Sequence, residues 1–193
     1  MIKIENESVS SISRAIYSAR NAMNSWDKSD SDLEKDIVGS NDLALAKRLC
    51  SAGTDHRKFM RMITVYVDIT APLYFWKEFS TYKVGTVANS CSTMHKITAK
   101  EFTLDDFSHE HLFNTSLLEK IINELNAYRN AYYAYDKLPE DYEPETSKKA
   151  VWWQLIQLLP SSYNQRRTVM LNYEVLANIY KSRQLTFSVL RSR

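Results

Sequence analysis

Two periods alternate along the chain. Val9, Ile12, Ile16, Ala19 and Met23 recur at helical spacing in "SVSSISRAIYSARNAMNSW", which predicts a first helix with Ser8 or Ser10 as its cap. The apolar signal then lapses in "DKSDSDLEKD", read as a polar connection. It returns in "NDLALAKRLCSAG", a helix with Gly53 just past its end, and "DHRKFMRM" adds one or two helical turns. At Ile63 the period changes to two, and the β-branched alternation of "ITVYVDIT" predicts a strand over 63–70. Pro72 suits the first position of a new helix, "PLYFWKEFSTY".

The second half is more helical. "HEHLFNTSLLEKIINELNAYRNAYYAYD" reads as one long amphipathic helix, and "KLPEDYEPETS" as a loop with two prolines. "KKAVWWQLIQLL" is a helix ended by Pro160, and "RRTVML" alternates like a strand. Asn172 is a favourable cap for "YEVLANIYKSR", in which Tyr173, Leu176, Ile179 and Tyr180 share one side. Neither an internal repeat nor a composition break interrupts the pattern. It predicts a single α+β domain over 1–193, with helices dominating and a few strands.

Composition narrows the function classes. The chain has 193 residues, 44% hydrophobic and 25% charged, which suits one globular domain with a sizeable core. A net charge of +2 gives no footprint for nucleic acid, so none is expected as a partner, and any anion site must be a local cluster. Cys50 and Cys91 are the two cysteines, without a CxxC spacing, which argues against a disulfide framework or a zinc site and suits a reducing compartment. "MIKIENESVSSIS" lacks a signal peptide's apolar core, and the apolar runs fall short of membrane-spanning length. A cytoplasmic protein with no membrane partner is expected. With glycine only at 39, 53 and 85, neither a P-loop nor GxGxxG can be written, so a nucleotide would have to be held mainly by side chains.

The candidate chemistry is correspondingly diffuse. His109 and His111 in "HEH" are two residues apart and point to different faces of a helix, so no metal site is expected. Cys91 reads as a buried, inert thiol, since nothing nearby marks an activating base. In "WKEFSTYKVGTVANSCSTMHK" each hydroxyl taken singly reads as a cap or turn residue. Together with Lys77, Lys83 and Lys96, they form a credible anion-contacting rim. On a strand Arg166 and Arg167 point to opposite faces. Lys181 and Arg183 complement a helix dipole as readily as they bind a ligand. Tyr132, Tyr133, Tyr135, Trp152 and Trp153 read as core and subunit packing rather than base stacking.

The order of these segments resembles the flavin-dependent thymidylate synthases, the ThyX family, in a divergent, phage-type version, from about the first helix to Arg183. The strand followed by "APLYFWKEFSTYKVGT" looks like the family's strand, Ala-Pro turn and helix leading into its RHRxxS signature. In that register the signature's Arg-His-Arg falls on Thr81, Tyr82 and Lys83, and its serine on Thr86. The preceding Arg-Gln pair falls on Lys77 and Glu78. "NSCSTMH" is similar to the following NExSxRY, keeping Asn89 and Ser92 once one extra residue is allowed. Leu159-Pro160, Asn172, Leu176, Asn178 and Arg183 match the family's Leu-Pro, strand and Asn-x-Arg-Ser-Leu helix, with Glu174 in place of that arginine and Ile156 in place of the one before Leu-Pro. His56 in "GTDHRKFMRMITV" matches the family's Gly-His segment.

The resemblance implies helices packed on a small, mostly antiparallel sheet, and a homo-oligomer, in the family a tetramer. It implies methylation of dUMP or a related pyrimidine nucleotide with FAD, methylenetetrahydrofolate as carbon donor and NADPH as reductant. Arginines rather than a nucleophile act on the pyrimidine. By the same resemblance Lys83, Thr86, Asn172, Asn178 and His56 would hold the flavin, and Lys77, Glu78, Ser92 and Arg183 the nucleotide, with Arg183 also catalytic. The family's last helix is expected to be missing or altered after Arg183. The lost Arg-His pair favours a second reading, a catalytically inactive protein that senses or sequesters nucleotides; a third, a purely structural interaction protein, requires that the basic positions be ordinary solvated charges.

Overall fold

The structure is a computed structural model that describes residues 2–139 and 146–191, the side chains of 184–191 excepted. Among the described residues it contains a four-stranded antiparallel sheet and seven α-helices, an α+β architecture as expected. The strands β1 (Lys3–Ser10), β2 (Thr64–Pro72), β3 (Val87–Ser90) and β4 (Asn164–Asn172) lie in the order β1-β2-β4-β3. The helices are α1 (Ile12–Ser18), α2 (Ser40–Ser51), α3 (Leu73–Phe79), α4 (Thr93–Lys96), α5 (Ser116–Ala134), α6 (Lys148–Leu158) and α7 (Tyr173–Arg191).

The period-two run forms β2 because Val65, Val67, Ile69 and Ala71 bury one face, while Thr64, Tyr66, Asp68 and Thr70 alternate to the other. Edge strand β1 escaped the sequence reading. Its eight residues are all exposed, and glutamates stand at every second position in "IENES", charges that keep an open edge soluble. Asn6, at φ 53, pins it to β2 by donating its amide to Asp68 at 2.8 Å.

The first helix therefore starts later than expected, at Ile12, and tightens into a 3-10 turn over Ala19–Met23. Val9 belongs to β1 and Met23 is exposed, so the predicted apolar stripe is split between three elements. The long middle helix also starts late, at Ser116, because Asn114 accepts from Ser116 N at 2.8 Å and His109 O closes a separate turn with Leu112 N. Pro72 stands just outside α3 as its cap residue, and β3 was not foreseen. Gly53, at φ +114, follows α2 as expected. Residues 140–145 of the predicted two-proline loop lie outside the described residues.

The chain divides into two compact units. A mid-chain unit comprises Met1–Lys3, Ile69–Ser80 and Asn89–Arg167; a terminal unit comprises Ile4–Asp68, Thr81–Ala88 and Thr168–Arg193. The mid-chain core gathers Ile97, Phe102, Phe107, Leu118, Ile122, Leu125 and Leu155, with Tyr163 edge-on to both phenylalanines. Burial there raises the pKa of the Tyr163 hydroxyl.

The terminal core is smaller, with Ala15, Ile16, Ala46, Phe59 and Ile63. Here the supposed polar connection proves to be a capping device. Asp30 accepts from the backbone amides of Asn41 and Asp42 in the first turn of α2, and Asp36 from those of Ile12 and Ser13 in α1. Asp42, fully buried, pairs with Arg20 and accepts from Ser29 and Ser31. Burial alone would push its pKa up, but the hydrogen bonds from Ser29, Ser31 and Arg20 outweigh it and leave the carboxyl below its usual value.

Candidate functional site

The clearest convergence of the expected residues is in the terminal unit, where β4 ends and α7 begins. Residues 83–86 form a tight turn closed by Thr86 N donating to Lys83 O at 3.3 Å, with Gly85 third at φ +76, the position where a type II turn requires glycine. A second constraint acts on the same residue: a Cβ there would lie 2.5 Å from Asn172 Nδ2. The turn therefore closes directly onto Asn172, which caps α7 by accepting from Val175 N at 3.0 Å, as its sequence position predicts. Lys83, Thr86 and Asn172, distant in sequence, thus form one corner. The Lys83 side chain is exposed, and Thr86 Oγ1 is buried with no hydrogen-bond partner among the described residues.

A second group starts in the first turn of α7. Glu174 is buried and accepts from Arg57 Nε at 3.2 Å and Nη2 at 2.9 Å; the same Nη2 reaches Asn178 Oδ1 at 3.3 Å. The negative charge that Glu174 brings to this helix is thus cancelled by Arg57 and withheld from any ligand, while Asn178 is already engaged. Glu174 Oε2 has no partner among the described residues. Cys50, half-buried nearby, has its thiol pKa raised first by burial; Arg57 counteracts and Glu174 reinforces the rise. His56 adjoins Arg57 in sequence, with an exposed side chain and a backbone amide bonded to Gly53 O at 3.2 Å.

Arg183 is half-buried on the same helix, eleven residues beyond Asn172, so their Cα atoms lie about 16 Å apart along the axis. One small anion cannot be held at both backbone positions. Lys77, Glu78 and Ser92 belong to the mid-chain unit. Lys77 and Glu78 are exposed near the end of α3, and Ser92 caps α4 by accepting from His95 N at 3.2 Å. Arg166 and Arg167 do point to different sides. Arg166 is exposed, whereas Arg167 is half-buried with its guanidinium 4.4 Å from the Trp76 ring centroid, and burial lowers its pKa. Cys91, expected to be buried, is exposed, because its backbone rather than its thiol is anchored: Cys91 N donates to Arg166 O and Cys91 O accepts from Gln165.

Arg57 and Gly85 were missed as organisers of this region. The signal for Arg57 lay in its partner, since an acid at position 174 beside Val175 on a core-facing helix demands a buried cation. Gly85 had a weaker cue as the lone glycine in a hydroxyl-rich stretch.

No family model matches the chain, and no curated protein matches it. Solved structures do. Thymidylate synthase X (ThyX) from Helicobacter pylori with FAD and dUMP superposes with a TM-score of 0.69 at 12% identity, covering 95% of this chain and 84% of that one. A second structure of the Helicobacter pylori enzyme, also complexed with FAD and dUMP, gives 0.61 at 13% identity, over 91% and 81% of the two chains. The UMP/dUMP methylase PolB from Streptomyces cacaoi, bound with 5-Br dUMP, gives 0.51 at 12% identity, over 91% and 75%. The chain therefore has the fold of the ThyX flavin-dependent thymidylate synthases.

Proposed function

We propose that the chain binds a pyrimidine nucleotide on this fold, anchored at the corner of Lys83, Thr86 and Asn172. The observation that carries the reading is the closure of the Gly85 turn onto Asn172, together with the buried Thr86 hydroxyl, which has no partner among the described residues. An ammonium and a hydroxyl beside a fixed helix cap offer donors to a phosphate or a ring carbonyl, the task that a glycine-rich loop performs elsewhere. By the resemblance the same corner would instead hold the polar edge of FAD, with Lys83, Thr86 and Asn172 as its holders and Asn178 and His56 further along. FAD, when bound, would supply hydride chemistry. In this reading Lys77, Glu78 and Ser92 would serve the nucleotide, and Arg183 would polarise the pyrimidine. In the same reading, copies of the chain associate.

Calorimetric titration with dUMP tests the corner. Binding should be saturable, and Lys83→Ala should weaken it about tenfold or more, the value of one charge-assisted hydrogen bond. Thr86→Val should weaken it less. An affinity unchanged by both substitutions would remove the corner from the site.

A specific observation favours binding without catalysis. Arg57 and Glu174 neutralise each other, and the signature's Arg-His positions hold Thr81 and Tyr82, so the fork of cationic donors that methyl transfer would use is depleted. Transfer from methylenetetrahydrofolate, with NADPH reducing the flavin, is the alternative, supported by the likeness to structures holding FAD and dUMP. Flavin decides between them. Yellow protein, a higher melting temperature with FAD and product formed from dUMP support transfer; colourless protein whose melting is unmoved by FAD but raised by dUMP supports binding alone.

A further inference from the structure

In the mid-chain unit, α4 and the facing ends of α5 and α6 line an open cleft of about 470 Å³, within the size range of small-molecule sites. None of its residues has a role in the nucleotide reading above. One wall is aromatic and fixed. The half-buried Trp152 donates its indole N–H to the Met94 backbone carbonyl at 3.1 Å, which holds the ring in place, and the Met94 side chain lines the same cleft. The floor is also fixed: Thr98 is buried, and its carbonyl accepts from Arg129 Nε at 2.9 Å and from the Tyr133 hydroxyl at 3.0 Å.

The other wall carries charge. Lys148 places its ammonium 4.5 Å from the centroid of the Tyr132 ring and pairs with Asp136. Lys149 and His95, both exposed, also line the cleft. Among the described residues the lining includes no acid, and Asp136 offsets only one of the two lysines. Solvated lysines on an open surface would not by themselves mark a site. Here they converge with a rigid indole and a thioether on one concavity.

We infer that this cleft binds an aromatic anion, a planar ring bearing a phosphate or carboxylate. The ring lies against Trp152 and Met94, and the anionic group meets Lys149 with Lys148 and His95 around it. Stacking supplies the ring preference, and charge-assisted hydrogen bonds supply the anion preference.

The test is a titration of the 15N-labelled full chain with phenyl phosphate, benzoate and inorganic phosphate, read at the Trp152 indole N–H and the backbone amides of Thr98 and Lys149. Phenyl phosphate or benzoate should shift these resonances saturably, and the stronger of the two identifies the anionic group. Inorganic phosphate should bind at least about tenfold more weakly, since it lacks the ring. Lys149→Gln, a change at an exposed residue, should weaken the aromatic ligand by about tenfold. Three results would overturn the inference: shifts that do not saturate or fall elsewhere, equal binding of inorganic phosphate, or an affinity indifferent to K149Q.

Discussion

The two units solve the same packing problem with different materials. The mid-chain core is hydrocarbon and aromatic throughout, with Leu155 and Leu125 almost fully buried among phenylalanines. The terminal core has fewer large apolar side chains and two buried ion pairs instead, Arg20 with Asp42 and Arg57 with Glu174. Close-packed hydrocarbon is non-directional and tolerates substitutions of similar volume. Buried charges are directional, and each is costly without its partner. The terminal unit should therefore respond sharply to charge changes and the mid-chain unit to volume changes. That contrast also places the candidate corner: Lys83, Thr86 and Asn172 sit in the unit whose geometry is fixed by hydrogen bonds, where a polar site needs the fewest new supports.

The largest effect is expected from Glu174→Ala, which leaves Arg57 buried without a counter-charge and should cost about 3–5 kcal/mol in urea unfolding. Combining Arg57→Met with Glu174→Leu should recover most of that loss. A single substitution costing less than about 1 kcal/mol would erase the contrast between the units. Leu155→Ala in the mid-chain core should cost about 2–5 kcal/mol, and unlike the charge pair no partner substitution should restore it without refilling the volume. Gly85→Ala comes next, at about 1–3 kcal/mol, because alanine is strained at this positive φ and its methyl meets the Asn172 amide. It should also weaken dUMP binding, which can be read in the same preparation.

The smallest effect is a pH dependence of the terminal unit. The Asp42 and Asp36 carboxyls are held below their usual value, Asp36 chiefly by hydrogen bonds from Ser13. Because the folded pKa is lowered, their stabilisation is complete above the ordinary aspartate value of about 4 and is lost as pH falls from there through the folded value. Urea midpoints should decline below about pH 4, and Asp42→Asn should flatten that decline while lowering stability at neutral pH.

The sequence showed most of what repeats and little of what touches. Strand β2 and helices α2 and α6 were legible because their periods are clean and their ends carry Gly53, Pro72 and Pro160. Asn172 was legible as a cap from its type and place alone. Edge strand β1 was not, because a strand exposed along its whole length buries no face that would impose an apolar alternation. The Arg57–Glu174 pair spans 117 positions, and no local pattern records such a contact. The closure of Gly85 onto Asn172 was equally hidden, since a missing Cβ matters only against the atom it would strike. Resemblance brought the corner residues to attention, and Arg183, which it gives to the pyrimidine, lies about 16 Å further along α7 than Asn172.

The most direct test of the central claim is a crystal structure of the chain grown with dUMP and FAD. The account predicts a ligand phosphate or ring carbonyl within hydrogen-bond reach of Lys83 Nζ and Thr86 Oγ1, with the Gly85 turn still closed on Asn172. Ligand density found elsewhere, with Lys83 and Thr86 in contact with solvent alone, would contradict it.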